Sequence, residues 1–253
     1  MRTYVAFVSK EFVESARTYK LLIIFVVFLM FGMFNPVAAK VMPDILTSVM
    51  PEGISVSFSQ PTAIDSWTQF YKNMTGMQIV VFVILFSNIV SGEISKGTLV
   101  NMLTKGLSRK TVILSKITST VVIWTLGYML CFAVTYIYTL YLLPGDLPHI
   151  FFSAVCMWLF GVMLISVMIF GGVLFANIYG SLILTGGFSI ILMLVNMFPN
   201  LKKYNPYMLA SDNMRLLSGQ VVLADFYFST CIALVTTVIF IVSSVIIFNK
   251  ARV

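Results

Sequence analysis

The residues best suited to chemistry lie together in one polar stretch, Ser91 to Lys116. Within it, Gly92-Glu93-Ile94-Ser95-Lys96-Gly97 has the glycine spacing of a phosphate-binding loop. Such a loop needs Lys and then Ser or Thr directly after its second glycine. The ammonium reaches the outer phosphates and the hydroxyl holds Mg2+. Thr98-Leu99 stand there instead, so the stretch is not a nucleotide site of that kind. It is basic, with Lys96, Lys105, Arg109, Lys110 and Lys116 against Glu93. Other chemistry is sparse. His149 is the sole histidine, which argues against a zinc site. Cys131, Cys156 and Cys231 all sit in apolar runs without a CxxC pair, so no disulfide framework is indicated. A nucleophile with a base and an orienting group is hard to assemble, and the chain reads as a non-enzyme with no cofactor or metal of its own.

Composition says what must position these residues. Of 253 residues 59% are hydrophobic and 10% charged, with a mean hydropathy of +0.99. Soluble domains carry about 25% charged residues. A soluble chain of this size must still cover its surface with polar groups, so lipid is part of this chain's solvent. The net charge of +7 sits in loops, where it sets topology rather than recognising nucleic acid.

The pattern reads as one all-α membrane domain, 1–253, with six spans. Residues 1–20 lack a cleavage site and are not read as a signal peptide. Val5, Val8, Phe12, Ala16 and Tyr19 share one helical face there, and Lys10, Glu14 and Arg17 another. Lys10–Glu14 and Glu14–Arg17 are spaced to pair, which predicts an amphipathic helix in the interface plane. The spans are predicted at 21–40, 76–91, 112–143, 150–176, 182–198 and 226–248, each long enough or nearly so for a core of about 30 Å. Pro36 should kink the first span or mark its exit. The region 41–75 reads as an outer loop: Pro43-Asp44 opens a short helix, Asp65 caps another, and Trp67 and Tyr71 anchor at headgroup level. Region 92–111 is a polar segment and 199–225 a re-entrant one, since Tyr207–Leu217 is too apolar for a solvated loop and too short to span. Eleven of the sixteen Lys and Arg fall on the side of both termini and of region 92–111, which predicts that side to be cytoplasmic. Asn88 and Asn196 read as interhelical hydrogen-bonding groups, and Gly171-Gly172 and Gly186-Gly187 as sites of close helix packing.

Glu93, Gly97-Thr98-Leu99, Leu103, Leu107-Ser108-Arg109 and Lys116 together resemble the E-x-x-x-G-T-L … L … S-R … K pattern of ABC-2 type transporter permeases. The opening helix, with Lys10-Glu11-Phe12 and Ser15-Ala16-Arg17, and the stretch Gly32 to Leu46 are similar to a bacterial subgroup of them. One departure is Gly106-Leu107, where family members often have proline ahead of the Ser-Arg pair. That turn lies outside what the resemblance implies.

The resemblance implies the permease subunit of an ATP-driven exporter in a bacterial inner or plasma membrane. It implies pairing with a second permease copy or a related permease, and two cytoplasmic ABC ATPase subunits that bind ATP and Mg. Glu93 to Leu103 would be the coupling helix, carried by Glu93, Lys96, Gly97, Thr98, Leu99, Met102 and Leu103. Lys10, Glu11, Phe12, Glu14 and Arg17 would belong to the interface helix beside it. Region 199–225 would close the outer face, with Tyr204, Pro206, Tyr207 and Leu217 as gate candidates. The residues agree in kind. Leu99, Met102 and Leu103 make a small apolar face for a partner's groove, with Glu93 and Lys96 as rim contacts. Gly97 permits a sharp bend. Ser108 can cap the third span, leaving Arg109 and Lys110 near the headgroups. Few ionisable residues lie deep in a span, so the expected cargo is an amphipathic peptide, an antimicrobial or another hydrophobic compound. The alternative is an ATPase-independent membrane channel or scaffold.

Overall fold

Lipid dictates the architecture before packing does. A backbone N–H or C=O facing hydrocarbon must bond within its own segment, so a span is a helix or part of a closed barrel. The computed structural model describes residues 2–49, 60–95, 97, 108–145 and 147–250, and among these it is helical with no strand. Six helical stretches are long and apolar enough to cross a membrane: Lys20–Ile45, Ala63–Ser95, Arg109–Leu142, Ile150–Phe175, Ile178–Val195 and Leu223–Lys250. The chain is a multi-pass membrane protein.

Helix α1 (Arg2–Arg17) leads through Tyr19, in left-handed conformation at φ 58°, into α2 (Lys20–Val49). The predicted end of the first span at 40 is overrun. Pro36 and Pro43 both lie inside α2, where neighbouring helices can re-satisfy the freed carbonyls. Pro43-Asp44 therefore continues a helix and does not open one.

The second span starts earlier than 76. It comprises α3 (Ala63–Asn73), a π-helical turn (Met74–Gln78), α4 (Ile79–Phe86) and α5 (Asn88–Ser95). Asp65 closes the first turn of α3 as expected, accepting from the Thr62 backbone at 2.8 Å and its hydroxyl at 3.0 Å. Trp67 and Tyr71 are not headgroup anchors. Both are buried, because α3 packs into the bundle and Tyr71 shares a 2.6 Å hydrogen bond with Ser153.

Helix α6 (Arg109–Leu142) lies along α2, and α7 (Ile150–Phe175) is central, flanked by α6, α8 (Ile178–Val195) and α12 (Phe226–Lys250). The most apolar window of α7 is 72% buried and that of α8 11%. Most of α7 therefore meets protein, with Phe151 and Val155 among its exposed side chains. Between α8 and α12 stand α9 (Pro199–Lys202), α10 (Met208–Ser211), α11 (Asn213–Leu217) and a 3₁₀ turn (Leu223–Asp225).

The two glycine pairs part ways. A Cβ on Gly171 would lie 3.0 Å from the Ser181 Cα, so Gly171 serves close packing of α7 on α8. At Gly186 and Gly187 a Cβ would meet nothing within 4 Å, so neither packs within the chain. The tightest approach is one the sequence did not mark. A Cβ on Gly161 would lie 2.2 Å from Trp124, whose buried ring makes edge contacts with Phe28 and Phe82 and whose indole donates to the Trp158 carbonyl at 3.2 Å. Gly161→Ala should destabilise by about 1–3 kcal/mol through overpacking, while Gly187→Ala should be neutral or stabilising by up to about 1 kcal/mol from helix propensity. Thermal unfolding of the two variants in detergent checks the contrast.

Candidate functional site

The charged side chains converge at the end of the bundle where α1, the end of α5 and the start of α6 meet. Glu11 falls one helical turn from Phe7 and one from Ser15, and these three form the buried face of α1. Lys116 lies seven residues into α6, about 10 Å along its axis, and is 1% exposed. Its ammonium is 3.0 Å from each Glu11 carboxylate oxygen and 2.9 Å from Glu93 Oε2. Lys10 completes the set, reaching Glu93 Oε1 at 2.5 Å, Glu14 at 2.8 Å and Glu11 at 3.1 Å. Both ammoniums lie over the Phe7 ring. Tyr4 adds a neutral tie, its hydroxyl 2.6 Å from that of Thr118.

Glu11, Glu14 and Glu93 lie close enough to share a metal ion, their ligand atoms within 4.8 Å of one another. Lys10 and Lys116 instead supply the positive charge between them. The arrangement holds three elements in register, since each lysine bridges carboxylates from different helices. A cavity of about 360 Å³ opens beside it, lined by Lys20, Thr18, Asn88 and Gly92 as well as the acids.

Two groups here have shifted pKa values. Burial would raise Glu14, but the hydrogen bond from Lys10 and the charges of Lys10, Lys116 and Lys20 together outweigh it and hold the carboxyl below its ordinary 4.5. Burial would lower Lys10, but its bonds to Glu14 and Glu93 and the nearby Glu11 charge hold it above its ordinary 10.5.

The predicted residues distribute unevenly. Lys10–Glu14 pairs as expected. The face Val5, Ala16 and Tyr19 points away from the bundle, Phe12 is half-buried and Arg17 exposed. Glu93 is not a rim contact: it is turned inward, because two ammoniums draw it there. Gly97 takes φ +66° just past α5, which suits its lack of a Cβ. Lys96, Thr98, Leu99, Met102 and Leu103 lie outside the described residues. Ser108 caps α6, accepting from the Thr111 N–H at 3.2 Å. Arg109 turns from the headgroups to the last carbonyls of α12, donating to Phe248 at 2.9 Å and Asn249 at 3.3 Å. Asn88 bonds within its own helix, to Ser91, whereas Asn196 bridges α8 to Ser211.

A second feature lies within the bundle. An apolar groove of about 340 Å³ runs between α4, α7 and α8, with Thr75, Thr185, Ser189 and Tyr207 as its polar points. Tyr207 closes one end against Phe160, ring centroids 5.8 Å apart. Of the other gate candidates, Pro206 and Leu217 are buried and Tyr204 is exposed. Region 199–225 is tied down by Asp212, which is buried and meets Lys202 at 2.7 Å and Arg215 at 3.1 Å.

No family model matches the chain. It is 24% identical over 144 residues to "Uncharacterized transmembrane protein YxlG" of Bacillus subtilis (strain 168), and the match covers 54% of each chain. The chain thus spans about half the length of that relative, which is itself a membrane protein.

Removing one partner of a buried ion pair strands the other. Lys116→Met should cost about 3–5 kcal/mol, and adding Glu11→Gln and Glu93→Gln should recover most of it. Thermal unfolding of the single and triple variants checks this. The pH dependence follows from the shifts. Glu14, lowered, contributes fully above 4.5 and loses its contribution as pH falls through its depressed value; Lys10, raised, contributes fully below 10.5 and loses it as pH rises through its raised value. Amide protection of α1, corrected for intrinsic exchange, should therefore be flat from about pH 5 to about pH 10 and decline outside that window.

Proposed function

We propose that the chain is the permease subunit of an ATP-driven exporter, paired with a second permease and driven by two separate cytoplasmic ATPase subunits. In this reading both termini and segment 92–111 face the cytoplasm of a bacterial cell, and region 199–225 faces out. One observation supports it above the others: Lys116 joins α1, the end of α5 and α6 through Glu11 and Glu93. Glu93 is the first residue of the segment that the resemblance assigns to ATPase docking, Glu93 to Leu103. A push on that segment therefore reaches α1 and α6 together, since the buried ions cannot part without stranding charge.

Transmission has further routes. Arg109, where the segment ends, holds the last turn of α12. The groove between α4, α7 and α8 suits the pathway, being apolar with hydroxyls spaced along it, which fits an amphipathic peptide or another hydrophobic compound. The face of α8 beside it, with Ile183, Ile190 and Leu194 exposed, is where a second copy would close the pathway.

Purification from native membranes in mild detergent should bring down a stoichiometric soluble subunit with a Walker lysine. The double variant Leu99→Asp/Leu103→Asp should retain the fold and lose that subunit and transport together. Survival of both would remove the coupling assignment, and repeated absence of an ATPase in the wild-type preparation would favour a channel or scaffold.

A further inference from the structure

The second span, Ala63–Ser95, does not run as one α-helix through the bundle. Met74–Gln78 form a π-helical turn, closed by the Ile79 N–H donating to the Met74 carbonyl five residues back. Such a turn holds one residue more than an α-helical path of the same course, and it is a recurrent feature of functional sites. Three observations place it where movement would matter. Thr75 and Ile79, at and just beyond the turn, line the apolar groove. Gly76 and Met77 are exposed, and a Cβ on Gly76 would meet nothing within 4 Å, so no neighbour locks the turn from that side. Its inward side is polar and incompletely bonded. Gln78 donates to Cys131 Sγ at 3.2 Å and Asn73 donates to Asn35 at 2.7 Å, yet the fully buried Gln78 Oε1 and Asn35 Nδ2 find no protein partner. Buried amides left half-bonded favour any rearrangement that satisfies them.

A second interruption follows at Ser87, between α4 and α5, where the Ser87 hydroxyl bonds back to the Ile84 carbonyl at 3.0 Å. The segment α4 is thus bounded by a wide turn on one side and, on the other, by the Ser87 junction, where the backbone stays helical at φ −55° and ψ −26°. Beyond the junction, Glu93 is held by Lys10 and Lys116.

We propose that the π-turn is a register switch for α4. When it tightens to α-helix, the surplus residue passes into α4, which advances by one position and rotates by about 100°. Residue 77 then occupies the place of 78, and Gln78 and Phe82 come round to where Ile79 and Val83 line the groove. The groove wall exchanges an aliphatic face for one bearing an amide and a ring, while α3 and Glu93 stay in place. The consequence for cargo rests on the groove being the pathway of the proposed permease; the change of register does not.

Cross-linking to Cys131 tests it. In a Cys156→Ser/Cys231→Ser background, Gln78→Cys and Met77→Cys are each treated in membranes with a short bifunctional thiol reagent. Val80→Cys, on the exposed side, sets the background. Gln78→Cys should link in the register described, and Met77→Cys should also link, above background, by visiting the other. Deleting Gly76 makes the helix continuous and leaves everything beyond it in its present place. The deletion should preserve the Gln78→Cys link and abolish the Met77→Cys link. Met77→Cys linking no better than Val80→Cys in the undeleted chain overturns the switch, whatever the deletion does to folding. So does a Met77→Cys link that survives the deletion. Either result leaves the export reading standing, since that reading fails on the absence of an ATPase subunit.

Discussion

A buried ammonium is the constraint on which one end of this molecule depends. Lys116 is 1% exposed within a helix long enough to span a membrane, and burying an ion there is unfavourable by several kcal/mol unless opposite charge meets it with good geometry. Glu11 and Glu93 meet it from two other elements. The requirement runs both ways, since neither carboxylate has a better partner than the lysines. Docking of α1, the inward turn of Glu93 and the entry to segment 92–111 therefore form one condition. Apolar packing alone would let α1 slide along its helix partners. Charges at distances of 3.0 Å do not.

The rest of the bundle follows a different rule. In lipid there is little hydrophobic drive between helices, so close shape fit and hydrogen bonds decide the packing. Gly161 beneath Trp124 and Gly171 against Ser181 are the shape side of this. Tyr71–Ser153, Ser66–Thr139 and the Thr135–Gly32 bond are the polar side. Where such fit is lacking, the bundle opens: Gly186 has no neighbour within 4 Å and lines the groove. The same substitution, side chain for hydrogen, thus seals one helix pair and leaves the other parted.

Much of the fold was legible. Six apolar runs, a helical N-terminus and a segmented connection before the last span could be read because span length and backbone satisfaction depend on local composition. The errors came where local signals meet protein in place of solvent. Pro36 read as a kink or an exit and Pro43-Asp44 as the start of a short helix, yet α2 carries both prolines because surrounding helices tolerate the lost bonds. Trp67 and Tyr71 read as interfacial anchors, a role their chemistry permits, but α3 turns them into the core. Of the candidate site, Lys10–Glu14 was visible as a spacing of four. Glu11 in line with Phe7 and Ser15 was a signal that could have been read: an acid on a helix's buried line asks for a buried cation. Lys116, a cation carried seven residues into an apolar helix, was the matching signal.

By itself the sequence determined that this chain lives in lipid, how many times it can cross, and that no lysine follows the second glycine of the loop-like spacing at 92–97. Those are statements about runs and spacings, and chemistry within a few residues settles them. Only the tertiary structure decided that Glu93 faces Lys116, that Gly171 packs and Gly186 does not, and that the second span carries a wide turn beside its groove. The first two depend on residues ten or more positions apart reaching contact distance, which is set by how the six helices pack; the wide turn is closed locally, by Ile79 on Met74.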